Sequence, residues 1–345
     1  MTTVLSPRKE QVLRAVVEGH VASSQPVGSG QVLAGAGLDC SSATVRNEMA
    51  ELMEAGYIEQ PHTSAGRVPT DKGYRHYVDR LMSVPESNQR VRAAINRRLR
   101  RFEGWMEAVC EETCRLLLTA TGQLAIVVAS SAGEAHVRDA HVSQVASRTF
   151  VLIVTLSTGQ VLHHSLAAKA ALSARELARC SRLLNAALAG RPLNQASAAL
   201  AGLAKDTART EQEREVLRLL AGISHVPETV EQVFSDGASR IAETPEFRDS
   251  GGLTALLSLL DERRRLGRTD LAASGGREFA VSIGRENPAQ EMSRCSLVLR
   301  SVSIQQEPPA RATLAVLGPT RMDYSRVAGA LRDFASELPR WLHGL

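Results

Sequence analysis

The chain has 345 residues, 43% of them hydrophobic, only 3% aromatic, and a formal net charge of +4. That length exceeds what one core usually supports and predicts two or three domains. The apolar runs "LAIVVA" and "FVLIVTL" are too short to span a bilayer, and the sparse aromatics argue against a base-stacking platform for single strands.

The start, "MTTVLSPRKE", has no apolar export signal, which leads us to expect a cytoplasmic protein without a membrane partner. Five cysteines in no framework spacing point to reduced thiols. Cys110 and Cys114 lie one helical turn apart, but no second CxxC and no HxxxH accompanies them. Buried thiols are therefore expected, and neither a metal nor a cofactor is.

Ser6 and Pro7 read as an N-cap and a first-turn proline, opening a helix to about residue 20 with Val12, Leu13, Val16 and Val17 on one side. After "SSQPVG", Ser29 is expected to cap a short helix that Gly35 and Gly37 stop. In "CSSATVRNEMAELMEAGY", Ser41 or Ser42 caps a third helix whose buried stripe is Val45, Met49, Leu52 and Met53. Asn47 points away from that stripe, between Ala43, Thr44 and Ala50, with Arg46 at the edge. Small and hydrogen-bonding side chains near a helix N-terminus are what a major groove admits.

"YIEQ", the polar tip "PHTSAGR" and the return "VP" predict a hairpin, and Thr70 caps the helix "DKGYRHYVDRL" after it. Three helices and a hairpin make a winged helix-turn-helix. Arg67 then supplies charge for phosphate or the minor groove, His62, Thr63 and Ser64 donate hydrogen bonds, and Gly66 permits close backbone approach. His62, Thr63, Ser64 and Arg67, with Ser41, Ser42, Ala43, Thr44, Arg46, Asn47, Lys72 and Arg75, make up the expected DNA-binding set. Two rivals for the tip fail. A catalytic Ser64 lacks a positioned base, and a P-loop needs a glycine-rich stretch ending in Lys and Ser or Thr.

Residues 89 to 104, "QRVRAAINRRLRRFEG", carry six arginines on a helical pattern. Two readings stay open: a solvated face or an added phosphate contact. A second helix follows to about residue 121. Between 123 and 167 the period becomes that of strands, four in series, expected to form one mostly antiparallel sheet. His163 and His164 are neighbours on a strand and point to opposite faces, so they read as surface or core histidines rather than ligands.

From about 170 to 225 the chain reads as alanine- and leucine-rich helices, including "SARELARCSRLLNAAL", "LNQASAALAGL" and "EQEREVLRLLAGI". A further helix is expected at 247 to 266, then strands at "EFAVSIG", "RCSLVLRSV" and "RATLAVLG", and a last helix over 322 to 338. A sheet begun at 123 and completed after 277 makes one discontinuous α/β domain. "GREN" and "GPTR" read as turn chemistry or as the lining of a ligand pocket.

The blocks "PVGS", "SSATVRNEMAEL", "EQPHTSAGRVPTDKGYRHYVDRLM", "VSIGREN", "CSLV" and "LGPTRMDYSRV" resemble the signature blocks of HrcA, the bacterial family of heat-inducible transcription repressors, across residues 5 to 330. The resemblance implies an α+β multidomain protein: a winged helix-turn-helix over 1–88 and linker helices over 89–122. It further implies a discontinuous GAF-like α/β domain over 123–169 and 249–345, with an inserted, mainly helical dimerisation domain over 170–248. It also implies a homodimer on double-stranded DNA bearing an inverted repeat of the CIRCE type upstream of chaperone operons, release on heat stress, the GroE chaperonin as modulator, and no enzymatic activity.

One position departs from the family pattern. Gly30 stands where a Lys or Arg commonly follows "PVGS", so it is left out of the contact set. Two alternatives remain: a metabolite-responsive regulator with a ligand in the GAF-like domain, and a hydrolase using Ser64 or a histidine-cysteine metal site, for which no paired base and no ligand quartet is present.

Overall fold

The computed structural model describes residues 5–37, 39–62, 65–103, 105–131, 136–157, 161–169, 171–204, 210–211, 214, 218, 231–244, 278–287, 290–304 and 310–342. The helices expected at 211–223 and 247–266 lie wholly or largely outside these residues, as do Thr63 and Ser64 of the hairpin tip. The described chain is an α+β protein of helices and three antiparallel sheets.

The first unit is α1 (Pro7–Ser23), α2 (Ser29–Ala36), α3 (Ser42–Glu54) and the hairpin of β1 (Ile58–Glu59) and β2 (Val68–Pro69). Ser6 Oγ accepts from Lys9 N, and Pro7, which has no N–H to leave unsatisfied, opens α1. Gly28 rather than Ser29 is the N-cap of α2, its N–H held by Gln31 Oε1 at 2.8 Å. Val12, Leu13, Val16, Val17, Val32, Val45, Met49 and Leu52 bury their side chains together, which is where the 3.6-residue period placed them.

Glycine 66 has a reason internal to the fold. A Cβ there would meet the carbonyl of Val27 at 2.5 Å, because Arg67 and Val27 exchange backbone hydrogen bonds of 2.9 and 2.8 Å. The hairpin base is thus laced to the α1–α2 turn. The close approach expected of Gly66 is to its own chain.

Thr70 caps α4 (Asp71–His76), which continues as a π-turn over Tyr77–Leu81. Residues 82–88 then run extended along α10 (Tyr324–Trp341), pinned by Ser325 Oγ to Ser83 O at 2.6 Å, Arg332 to Pro85 O at 3.0 Å, and Ser87 Oγ to Asp333 at 2.6 Å. Next come α5 (Gln89–Leu99) and α6 (Met106–Thr121).

The largest sheet is antiparallel, in the order β7 (Glu231–Asp236), β3 (Leu124–Ser131), β10 (Ala310–Pro319), β9 (Cys295–Ile304), β8 (Ala280–Ile283), and the short helix α9 (Ala238–Glu243) follows β7. Helices α6 and α10 pack on it, and Val127, Val298 and Val316 share one core with them and with the N-terminal unit. Leu124, Ile126, Leu297 and Leu317 form the opposite layer with Met292.

The single sheet expected over 123–167 does not form. Strands β4 (Val137–Ala146), β5 (Thr149–Leu156) and β6 (Val161–Ala167) make a separate three-stranded sheet covered by α7 (Ala174–Leu188) and α8 (Ala196–Ala204), with its own core of Phe150, Leu152, Val154, Cys180 and Leu184. The reason is visible in the strands. "LAIVVA" in β3 is apolar at every position and is buried on both faces, whereas β5 alternates buried and half-buried residues and needs only one cover. The open edge of β4 is satisfied from α7, where Asn185 Oδ1 accepts from Ala140 N and Ser181 Oγ accepts from Val142 N.

This sheet-and-helix unit occupies described residues between 136 and 204, while 231–236 return to the large sheet. The expected break points at 169 and 248 thus divide the chain elsewhere. The unit is also sheet and helix together rather than mainly helix. His163 and His164 both stand exposed on β6.

Candidate nucleic-acid interface

The N-terminus of α3 gathers most of the expected contact residues. Ser41 Oγ caps the helix, accepting from Thr44 N at 3.1 Å and lying 2.9 Å from Thr44 Oγ1. Ser42 Oγ lies 3.5 Å from Ser29 Oγ, which also accepts a 3.4 Å hydrogen bond from Arg46 Nε. Ala43, Arg46, Asn47 and Ala50 are exposed, and the Asn47 amide makes no hydrogen bond to the described residues. Farther along α3, Glu48 and Glu51 tie the helix to α1 by the ion pairs Arg8–Glu48 at 3.9 Å and Lys9–Glu51 at 2.7 Å. The helix therefore presents its small, polar face at a fixed angle, with an unspent amide at its centre.

At the hairpin, His62 is exposed and its carbonyl accepts from Ala65 N at 2.8 Å. Arg67 is half-buried, its Nη1 donating to Ala65 O at 3.4 Å while its Nε is buried without a hydrogen-bond partner among the described residues. Lys72 is exposed but sits at the far end of α3, donating to Ala55 O at 2.7 Å with its ammonium 4.3 Å from the centre of the Tyr57 ring.

Arg75 faces away from the α3 N-terminus altogether. It donates to Glu286 Oε1 at 2.9 Å, to Val281 O at 2.7 Å and to Asp79, and the Glu286 bond raises its already high pKa. Its charge is spent on docking the first unit to the large sheet. Arg285 N also donates to Asp71 at 3.1 Å, and the Tyr74 and Tyr324 rings lie 5.9 Å apart.

"GREN" is the receptacle of that docking. Gly284 has φ +53°, and a Cβ there would lie 2.4 Å from the Asp71 carboxylate. Asn287 is buried and donates to the carbonyls of Gly284, Met292 and Cys295 at 2.9, 3.1 and 2.9 Å. Sequence reasoning missed Ser29, which orients Arg46, and Glu286. The motif spacing of "GREN" was noticed, but its partners lie more than two hundred residues away.

The profile described as "HrcA protein C terminal domain" matches residues 107–328. The chain is 36% identical to the heat-inducible transcription repressor HrcA of Moorella thermoacetica, covering 99% of both chains, and 34% identical to that of Brevibacillus brevis, covering 98% of both. This chain belongs to the HrcA family. Its fold is shared by a crystal structure of a hypothetical protein with a TM-score of 0.60, 20% identity and coverage of 98% and 99%. The HrcA profile begins inside α6 and ends inside α10, so the exposed face of α3 lies outside it but inside the full-length likeness to the two named relatives.

Gly30 is the point where this HrcA chain is open to a gain of function. A Cβ at Gly30 meets nothing within 4 Å, and the position adjoins Ser29 and Arg46. Gly30→Lys is expected to strengthen binding to operator and scrambled duplex alike and to steepen the salt dependence by about 0.9 in log–log slope, one phosphate's worth. Anisotropy titrations across a salt series read this directly, and an unchanged slope contradicts it.

Proposed function

We propose that this HrcA-family chain is a transcription repressor that binds an inverted-repeat duplex of the CIRCE type as a homodimer and releases it on heat stress. In this reading residues 7–81 are a winged helix-turn-helix, α3 enters the major groove, and the hairpin touches backbone. The large sheet with α6 and α10 is the GAF-like domain, and the unit of β4–β6, α7 and α8 is the inserted dimerisation domain. The observation that carries the reading is the exposed α3 face, with the unpaired Asn47 amide beside Arg46, in a chain whose full-length relatives are named heat-inducible transcription repressors. Among the described residues no helix is long and apolar enough to cross a membrane, which suits a cytoplasmic regulator. The GroE chaperonin enters as modulator on the family resemblance alone.

The dimer is supported by the outer face of the three-stranded sheet. There Val145 and Val161 are 69% and 54% exposed, beside the half-buried Val151 and Ile153 of β5. Two recognition helices held at a fixed distance read two half-sites at a fixed spacing. Inserting five base pairs between the half-sites turns one to the opposite side of the duplex and is expected to reduce binding to that of a single half-site, whereas ten restores the phase. Gel-shift titrations that show no dependence on spacing would overturn the dimeric mode.

A further inference from the structure

The six arginines of residues 89–104 divide into two kinds. Arg92 Nε donates to buried Glu337 at 2.5 Å, and Arg98 pairs with buried Glu112 at 2.7 Å. Asn96 also donates to Glu337 and accepts from Trp341 Nε1 at 2.8 Å. These contacts, with Ile95 and Leu99 in the core, fasten α5 to α6 and α10. Arg90, Arg97, Arg100 and Arg101 are different. All four are exposed, and none makes a side-chain ion pair or hydrogen bond with the described residues.

Arg90 and Arg97 stand at i and i+7 on the face of α5 opposite Ile95 and Leu99, and Arg101 follows in the 3₁₀ turn over Arg100–Phe102 that continues the helix. No acidic residue occurs from 89 to 102. The three charges span roughly 16 Å at the helical rise per residue. A duplex carries a charge about every 1.7 Å of its axis, so a rigid basic row of this length matches it in both sign and scale.

Position supports the same partner. The extended strap over 82–88 spans at most about 25 Å, less than the roughly 34–36 Å of one turn of duplex. Its three hydrogen bonds to α10 fix the path of the strap between α4 and α5. We infer that the outer face of α5 is a second DNA contact, which grips the phosphates flanking the half-site read by α3 and contributes affinity without sequence preference. The inference rests on the DNA-binding reading above.

The test uses the full-length protein, with Arg90, Arg97 and Arg101 all changed to Gln, on an operator duplex with long flanks and on one trimmed at the repeat. On the flanked duplex the log K against log salt slope should fall by about 2.7, so raising salt from about 50 to 200 mM costs the variant roughly 40-fold less affinity than wild type. The ratio of operator to scrambled binding should stay the same, the change to Lys at all three positions should retain the slope, and trimming the flanks should erase the difference. Equal slopes for wild type and the Gln variant on the flanked duplex overturn the inference while leaving the α3 reading intact, and so does a loss of operator preference in the variant. Absence of operator preference in the wild type itself counts against the underlying reading instead.

Discussion

Asn47→Ala is expected to weaken binding to the inverted-repeat operator by about 1–3 kcal/mol per half-site, roughly 5- to 150-fold, and to leave binding to a scrambled duplex unchanged. Val45, Met49 and Leu52 fix which side of α3 is buried, the ion pairs to α1 fix its angle, and Ser41 fixes its start. What remains outward is a run of small residues with one amide that has no partner in the described protein. An asparagine so placed can pair with both groups on the major-groove edge of adenine, and alanine cannot. Arg67→Ala is the informative contrast, because a backbone contact should lower affinity for both duplexes together. Equal losses for Asn47→Ala on operator and scrambled DNA would move base readout away from α3.

Asn287→Asp is expected to destabilise the protein by about 3 kcal/mol or more, read as a lower midpoint in urea. The side-chain amide of Asn287 serves three buried carbonyls, those of Gly284, Met292 and Cys295. A carboxylate there loses the donors, desolvates a charge and faces it with three carbonyl oxygens. The consequence reaches the N-terminal unit. The turn that Asn287 holds also keeps Gly284 against Asp71 and aims Glu286 at Arg75, so the variant should loosen the docking of residues 7–81 before the large sheet unfolds. Proteolysis that cuts the strap at 82–88 earlier in the variant than in wild type would report this order. An unaltered urea midpoint would refute the structural role given to "GREN".

The N-terminal unit was legible because its signals are local. Ser6 with Pro7, Ser41 with Thr44, and Thr70 with Gly73 lie within three or four residues of what they cap, and the periodic valines and leucines of α1 and α3 need no distant partner. The middle of the chain was harder for a definable reason. A run of strands does not say which sheet each joins, and "FVLIVTL" in β5 is as continuously apolar as "LAIVVA" in β3, so the two-sided burial of the one and the one-sided burial of the other are not written in the sequence.

Long-range ion pairs were the least legible. Arg75 looked like a phosphate contact beside the wing, yet its partner Glu286 is 211 residues away. Arg92 and Arg98 looked like Arg97 and Arg101, yet buried carboxylates on α10 and α6 claim the first two and leave the others outward. Gly66 reads in the sequence as a place where a nucleic-acid backbone comes close, whereas in the fold what approaches it is the backbone of Val27.

The most direct test of the account is anisotropy titration of the full-length protein against a duplex carrying the inverted repeat and against a scrambled duplex of equal length, at several salt concentrations. Sequence-specific repressors prefer their sites by about 10³-fold or more, and the account predicts a preference of that order that persists across the salt series and shrinks in Asn47→Ala. Equal affinities for the two duplexes, falling together with salt, would leave only charge attraction to the backbone and would contradict base readout by α3.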